Sequence, residues 1–228
     1  MSEIRTVPGG MRLGVLCNGE VENYAWLREV ADSLDGVVCA DGGGNHAFRM
    51  GIKPLCVIGD LDSIEPEALR HFGELEVPVK RFPCEKDETD LQLALDEALE
   101  LGAAEVVLLA ATGRRLDHTL GNISVLAELL LKGIPGLIID EYNEIRVCQK
   151  EAVIHGEIGE EVSLLPLTTT VTGVSSANLK YGLKDGEFSL GNPYGISNML
   201  TSTCARVTFD QGLLLVIKAR DRCRKATL

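Results

Sequence analysis

No stretch of this 228-residue sequence approaches the ~20 consecutive apolar residues that a bilayer-spanning helix needs, so no membrane partner is expected. Basic charge is short: 22 Lys and Arg stand against 34 Asp and Glu, a net charge of -12. Proteins that grip bulk DNA or RNA carry a basic patch, so nucleic acid is not an expected partner either. No CxxC pair exists among the seven cysteines, Cys17, Cys39, Cys56, Cys84, Cys148, Cys204 and Cys223. The count is odd, and Cys17, Cys39 and Cys56 sit inside apolar runs. That reads as reduced thiols in a cytoplasmic protein rather than a disulfide framework or a zinc site. Met1 to Arg12 has no apolar core and does not read as a signal peptide. A serine nucleophile elbow, an HExxH helix and a paired Cys/His nucleophile are also missing. Trp26 is the only tryptophan.

What remains is ordinary globular composition, 45% hydrophobic and 25% charged, with one excess. Glycine occurs 24 times, about 11% against a usual value of roughly 7%. Extra glycine suggests tight turns and backbone that approaches a ligand closely. The acidity sets a condition on any phosphate chemistry: carboxylates repel a free phosphate, so a divalent cation must stand between them.

Up to about residue 140, short apolar runs alternate with helical patterns. Strands are predicted at Leu13–Cys17, Val37–Ala40, Cys56–Ile58, Val79–Phe82, Val106–Ala110 and Leu137–Ile139. Their continuous Val, Ile and Leu suit strands buried on both faces. Helices are predicted at 22–34, 45–50, 65–72, 88–101 and 118–132. This alternation argues for an α/β fold, Rossmann-like, with a mostly parallel sheet and helices on both faces. Beyond about residue 145, β-like runs follow one another at Ile145–Cys148, Val162–Leu165, Val171–Val174, Phe188–Leu190, Ala205–Phe209 and Leu213–Lys218, with no helix. They read as a small antiparallel β-sandwich or partly open barrel. The expected domains are 1–142 and 143–228. The tail from Lys218 to Leu228 is basic and reads as a solvated end.

In open α/β sheets, ligands sit beyond the carboxyl ends of the strands, so the loops leaving those ends carry the argument. Asn18-Gly19 leaves the first strand and is also a plain turn signal. Asp41-Gly42-Gly43-Gly44-Asn45 leaves the second; its glycines can turn backbone N–H groups toward an anion or a ribose, although no standard phosphate motif is matched. Gly59-Asp60-Leu61-Asp62-Ser63 leaves the third. In extended backbone, Asp60 and Asp62 share a face, and two neighbouring carboxylates repel unless a cation joins them. Ser63 or Glu65 can instead cap a helix ahead of Pro66. Lys86-Asp87-Glu88-Thr89-Asp90 opens a helix; Asp87 and Asp90 face one way on a first turn, or form a capping box with Asp87 as the cap. Lys86 and Thr89 add a cation and a hydroxyl. Thr112-Gly113-Arg114-Arg115-Leu116-Asp117-His118 follows the fifth strand. Arg115 suits phosphate oxygens, Asp117 can cap the next helix, and His118 reads as packing or capping, with Asn122 on its face. Paired acids with Lys86 and Arg115 at one sheet edge suit metal-assisted phosphoryl transfer.

Taken in order, these motifs resemble the thiamine pyrophosphokinase (thiamine diphosphokinase) family. The residues are Asp41 to Asn45, Gly59 to Ser63, Lys86 to Asp90, and Arg115-Leu116-Asp117-His118 with Asn122. Leu179-Lys180-Tyr181 and Gly195-Ile196-Ser197-Asn198 extend the resemblance into the second half. It implies a transferase of thiamine diphosphate biosynthesis: the terminal diphosphate of ATP passes to the hydroxyl of thiamine, giving thiamine diphosphate and AMP. It implies a homodimer, an α/β catalytic, nucleotide-binding domain over 1–142, and a β-sandwich contributing to thiamine binding over 143–228. It places Asp60, Asp62, Asp87 and Asp90 around Mg2+ and the phosphates, with Arg115 also catalytic. Asn18, Asp41, Gly42, Gly43, Lys86, Thr89, Asp117 and His118 fall to ATP, and Ser197 and Asn198 to thiamine. Two departures stand out: Arg114 replaces a glycine common before the arginine, and Gly182 replaces a proline after Lys180-Tyr181. Because Trp26 lies near the N-terminus, an aromatic on thiamine from the second domain has to be another residue, with Tyr181 and Tyr194 as candidates. Two alternatives share these loops: a Mg2+-dependent nucleotide phosphatase or hydrolase, and a non-catalytic nucleotide sensor.

Overall fold

A computed structural model describes residues 10–85 and 87–219. The chain divides into two compact units, Thr6–Glu141 and a second that starts at Tyr142. Lys86, Cys223 and the tail beyond Ala219 lie outside the described residues.

The first unit alternates strand and helix: β1 (Met11–Leu16), α1 (Tyr24–Asp32), β2 (Gly36–Ala40), α2 (Gly43–Met50), β3 (Cys56–Gly59), α3 (Pro66–Glu74), β4 (Val79–Arg81), α4 (Asp90–Glu100), β5 (Ala103–Leu109), α5 (Leu116–Leu131) and β6 (Gly136–Ile139). The strands lie in the order β6-β5-β1-β2-β3-β4, and every pairing among them is parallel. After β1 the chain builds outward through β4, then returns to lay β5 on the other side of β1. The strand order therefore reverses at β1, and the crevice such a reversal opens lies at the carboxyl ends. Leu16, Cys39, Val57, Val107, Leu137 and Ile139 share a core with Leu27 of α1, Ala47 of α2 and Phe72 of α3. The intervening strand residues Val15, Val38, Ile58 and Leu108 are also buried, on the other face, with Leu91, Leu95 and Ala98 of α4. Burial on both faces explains the unbroken apolar runs. β4 is the exception: an exposed edge strand of three residues.

Burial pushes the Cys17 thiol up to about 12 and Cys39 higher still, and all six described cysteines are free.

The second unit is all β: β7 (Asn143–Cys148), β8 (Glu151–His155), β9 (Glu161–Pro166), β10 (Thr170–Ala177), β11 (Gly186–Ser189), β12 (Asn198–Met199), β13 (Cys204–Thr208) and β14 (Leu214–Ala219). It forms two antiparallel layers, β12-β9-β14-β7 and β11-β10-β13-β8. Val162, Leu164, Leu214 and Val216 of the first layer share a core with Ile154, Val174, Phe188 and Val207 of the second. Alternating burial along β8, β9 and β13 is the mark of sandwich strands, buried on one face only. Among the described residues no helix is long and apolar enough to cross a membrane.

Candidate active site

Three carboxylates meet beyond β2 and β3. Oxygen atoms of Asp41, Asp60 and Asp62 all lie within 4.8 Å of one another. Asp41 follows β2 directly and Asp60 follows β3, and these strands are neighbours in the sheet. The convergence does not come from extended backbone at Asp60 to Asp62, as the spacing predicts. Leu61 is left-handed, with φ 64°, and the Asp62 amide donates to Asp60 Oδ1 at 3.2 Å, closing a tight side-chain turn. Asp41 is left-handed too, with φ 43°. Two non-glycine residues in this region, one a leucine, mark strain that the surrounding fold has to hold.

The holding contacts are on hand. The Ser63 amide donates to Asp41 Oδ1 at 3.4 Å, and the Ser63 hydroxyl to Asp62 Oδ1 at 2.8 Å. Asn45 of α2 braces the loop from behind: its Nδ2 donates to the Ser63 carbonyl at 2.9 Å, and its Oδ1 accepts from the Glu65 amide at 2.7 Å. Glu65 is the residue that caps α3, without a side-chain bond to the helix, and Pro66 opens it. Asp41 is only 7% exposed. Burial pushes its carboxyl up; bonds from Gly42 and Ser63 oppose this, and the negative charge of Asp90 adds to it. An acid that resists ionisation, beside two more acids, suits a site for a divalent ion.

Gly59 brings Asp90 into the neighbourhood. Its φ is 151°, and a methyl group there would lie 3.0 Å from Asp41 Cβ and 3.1 Å from Asp90 Oδ1. Asp41 and Asp90 thus flank a bare backbone. Asp90 is the first residue of α4, and the cap is Thr89, not Asp87. Thr89 Oγ1 accepts from the Gln92 amide at 3.2 Å, and Gln92 Oε1 accepts from the Thr89 amide at 3.0 Å. The capping box therefore sits two residues later than the sequence suggests, and it occupies the Thr89 hydroxyl. Asp87 is exposed ahead of the helix. Among the described residues, neither Asp87 nor Asp90 joins the three acids close enough to share an ion.

The glycines after Asp41 allow close packing. A methyl on Gly43 would lie 1.9 Å from the Leu16 carbonyl oxygen, and one on Gly42 would lie 2.4 Å from the Asn18 side chain. The start of α2 is thereby drawn against the end of β1.

Beyond β5, Arg115 grips Asp117 with two hydrogen bonds, Nε to Oδ1 at 2.9 Å and a second nitrogen to Oδ2 at 2.6 Å. Both are exposed, and the pairing holds the Asp117 carboxyl well below its usual range. Asp117 lies inside the first turn of α5, so it is not the cap; Arg115 occupies that position. His118 is exposed beside it. Asn122 donates to the Ala111 carbonyl at 2.6 Å and ties α5 to the loop that leaves β5.

In the sandwich, Asn198 is 6% exposed. Its Oδ1 accepts from the Tyr181 amide at 3.0 Å and its Nδ2 donates to the Tyr181 carbonyl at 2.9 Å. It clamps the backbone of a tyrosine whose side chain stands in solvent. Ser197 is exposed and left-handed, with φ 57°, and its amide donates to Ser163 Oγ at 3.2 Å. Tyr194 stacks on Phe188 at 4.9 Å between ring centres. His46 carries no signal in the sequence beyond following Asn45 in the first turns of a short helix, and only the fold shows it buried.

Comparison with known proteins fits this picture. Residues 27–137 match the thiamin pyrophosphokinase catalytic domain, and residues 143–214 match the thiamin pyrophosphokinase vitamin B1 binding domain. The chain is 31% identical over 183 residues to the thiamine pyrophosphokinase of Bacillus subtilis, covering 79% of this chain and 86% of that protein. It is 27% identical over 210 residues to thiamine pyrophosphokinase 1 of Oryza sativa subsp. japonica, covering 81% and 79% respectively. The crystal structure of the Bacillus subtilis protein superposes with a TM-score of 0.84 at 29% identity, over 92% of this chain and 99% of that one. That of Geobacillus thermodenitrificans thiamin pyrophosphokinase gives 0.82 at 30%, over 93% and 99%. With both domains matched in order, this chain belongs to the thiamine pyrophosphokinase family.

Proposed function

We propose that this protein is a thiamine diphosphokinase that moves the terminal diphosphate of ATP onto the hydroxyl of thiamine, and that it works as a cytoplasmic homodimer. The observation that carries the chemistry is the meeting of Asp41, Asp60 and Asp62 at the carboxyl edge of the sheet.

The donor set fits magnesium: three carboxylate oxygens within 4.8 Å, hard ligands for a hard ion. Asp41, Asp60 and Asp62 would hold it. When bound there, Mg2+ supplies charge neutralisation for the triphosphate. The remaining work falls to the chain. Asn18 and the closely packed Gly42 and Gly43 are assigned to the nucleotide together with Thr89, Asp117 and His118, and the motif around Asp87 assigns Lys86 to it as well. The thiamine oxygen attacks the β-phosphorus in line; the new O–P bond forms as the bond from that phosphorus to the α–β bridging oxygen breaks, and AMP leaves with that oxygen. The hydroxyl proton passes to a carboxylate among Asp60, Asp62, Asp87 and Asp90. Arg115 offsets charge on the transferring diphosphate. Ser197 and Asn198 hold the segment that receives thiamine.

The test is product analysis with ATP and Mg2+, with and without thiamine. AMP and thiamine diphosphate in equal amounts, formed only when thiamine is present, is the expected result. Inorganic phosphate released without thiamine would point instead to a phosphatase.

A further inference from the structure

His46 lies on α2, five residues beyond Asp41, and is 7% exposed. Its ring is held from both sides. Nε2 is 2.9 Å from the Gly19 carbonyl oxygen, and Nδ1 is 2.8 Å from the Tyr24 hydroxyl. A carbonyl only accepts, so Nε2 carries the proton. Nδ1 is then the acceptor, and Tyr24 donates to it. Arg49 in turn donates to the Tyr24 oxygen at 3.1 Å and pairs with Glu65 at 2.9 Å. The result is one directed chain: Arg49 to Tyr24, Tyr24 to His46, His46 to the Gly19 backbone. Burial and the Arg49 charge both favour the neutral ring that this chain requires.

The far end of the chain is the corner that leaves β1. The Gly19 amide donates to the Ala110 carbonyl at 2.8 Å, so the residue that follows β5 holds the corner from one side. His46 holds it from the other. Between them, the Asn18 side chain rests on Gly42, whose added methyl would meet it at 2.4 Å. Gly42 adjoins Asp41, a member of the acid cluster. The position of the Asn18 amide relative to that cluster therefore depends on where Gly19 is held. A packing residue at 46 would not need a donor on one side and an acceptor on the other; an apolar ring there leaves the Gly19 carbonyl and the Tyr24 hydroxyl without their partner.

We propose that His46 is a positioning residue, which fixes the Asn18–Gly19 corner in the form that receives ATP. The proposal rests on the assignment of that corner to the nucleotide. His46→Phe keeps a ring and removes both hydrogen bonds; His46→Gln retains an N–H for the Gly19 carbonyl. KM for ATP is expected to rise about ten-fold in His46→Phe, chiefly from losing the bond that holds Gly19, with kcat and the KM for thiamine within about two-fold. His46→Gln is expected to restore most of the ATP affinity. A purely structural role would lower the melting temperature without separating the two KM values. Calorimetric binding of Mg2+-ATP to the same variants, without thiamine, keeps this test apart from the reaction: a wild type that binds ATP yet forms no AMP counts against the diphosphokinase reading alone. Wild-type ATP affinity in His46→Phe, an equal rise in both KM values, or a His46→Gln variant as weak as His46→Phe would overturn the proposal. Should His46→Phe fail to fold, Tyr24→Phe decides. An ATP affinity lowered about two- to three-fold supports the chain, and an unchanged one overturns it.

Discussion

In the sandwich, Lys218 is buried, its Nζ 2.6 Å from Glu144 Oε2 and donating to the His155 carbonyl at 2.8 Å. In the α/β unit, Asp41 is about as buried, yet it faces Asp60 and Asp62. The first charge is answered within the fold, on strands β7 and β14 that pair with each other. The second is crowded by its own kind, on strained backbone, with burial pushing its carboxyl up. The difference separates charge used for architecture from charge held ready for a ligand.

Each side of this contrast can be broken by substitution. The largest effect is expected at the acids: Asp60→Asn lowers kcat about 100-fold or more while the melting temperature holds. Asp41→Asn is expected to lose turnover as well, yet to melt higher than the wild type at neutral pH without Mg2+. The sign follows from the raised carboxyl. A folded-state value above the unfolded one means that ionised Asp41 opposes folding, and the asparagine variant is relieved of that cost as pH rises through the folded value. In the sandwich the outcome reverses. Lys218→Met removes the nearer cation from Glu144, with Arg146 still 4.0 Å away, and is expected to cost about 2–4 kcal/mol in denaturant unfolding, part of which Glu144→Gln recovers. Asn198→Ala removes both bonds to the Tyr181 backbone and is expected to cost about 1–3 kcal/mol, with a higher KM for thiamine. The smallest effect is expected at His46. Its folded value is lowered, mainly by burial, so its contribution to stability is complete above the ordinary 6.5 and is lost as pH falls below it. A wild type less stable at pH 5 than at pH 7, with a shallower slope in His46→Gln, is the expected result.

Much of this was legible in the residues, for physical reasons. The parallel sheet reads off the sequence because β1, β2, β3, β5 and β6 are buried on both faces and hence rich in Val, Ile and Leu without polar alternation. β8 was not legible: only Ala152 and Ile154 turn inward between Glu151 and His155. β12 is two residues long. At the site, the pair Asp60 and Asp62 announces itself by spacing. The place of Asp41 beside them depends on β2 and β3 being neighbours, which no local pattern encodes. Left-handed Leu61 runs against residue preference, so an extended turn is the natural reading and the wrong one. Thr89 and Asn198 carry side chains that serve ligand or backbone equally well, and only the fold shows them bonded to backbone.

The most direct test is a thermal titration. Wild type and Asp60→Asn, each with ATP, are melted over rising Mg2+ concentration. The acidic corner predicts a melting temperature that climbs with Mg2+ in the wild type and stays nearly flat in the variant. Equal climbs in the two proteins would contradict it.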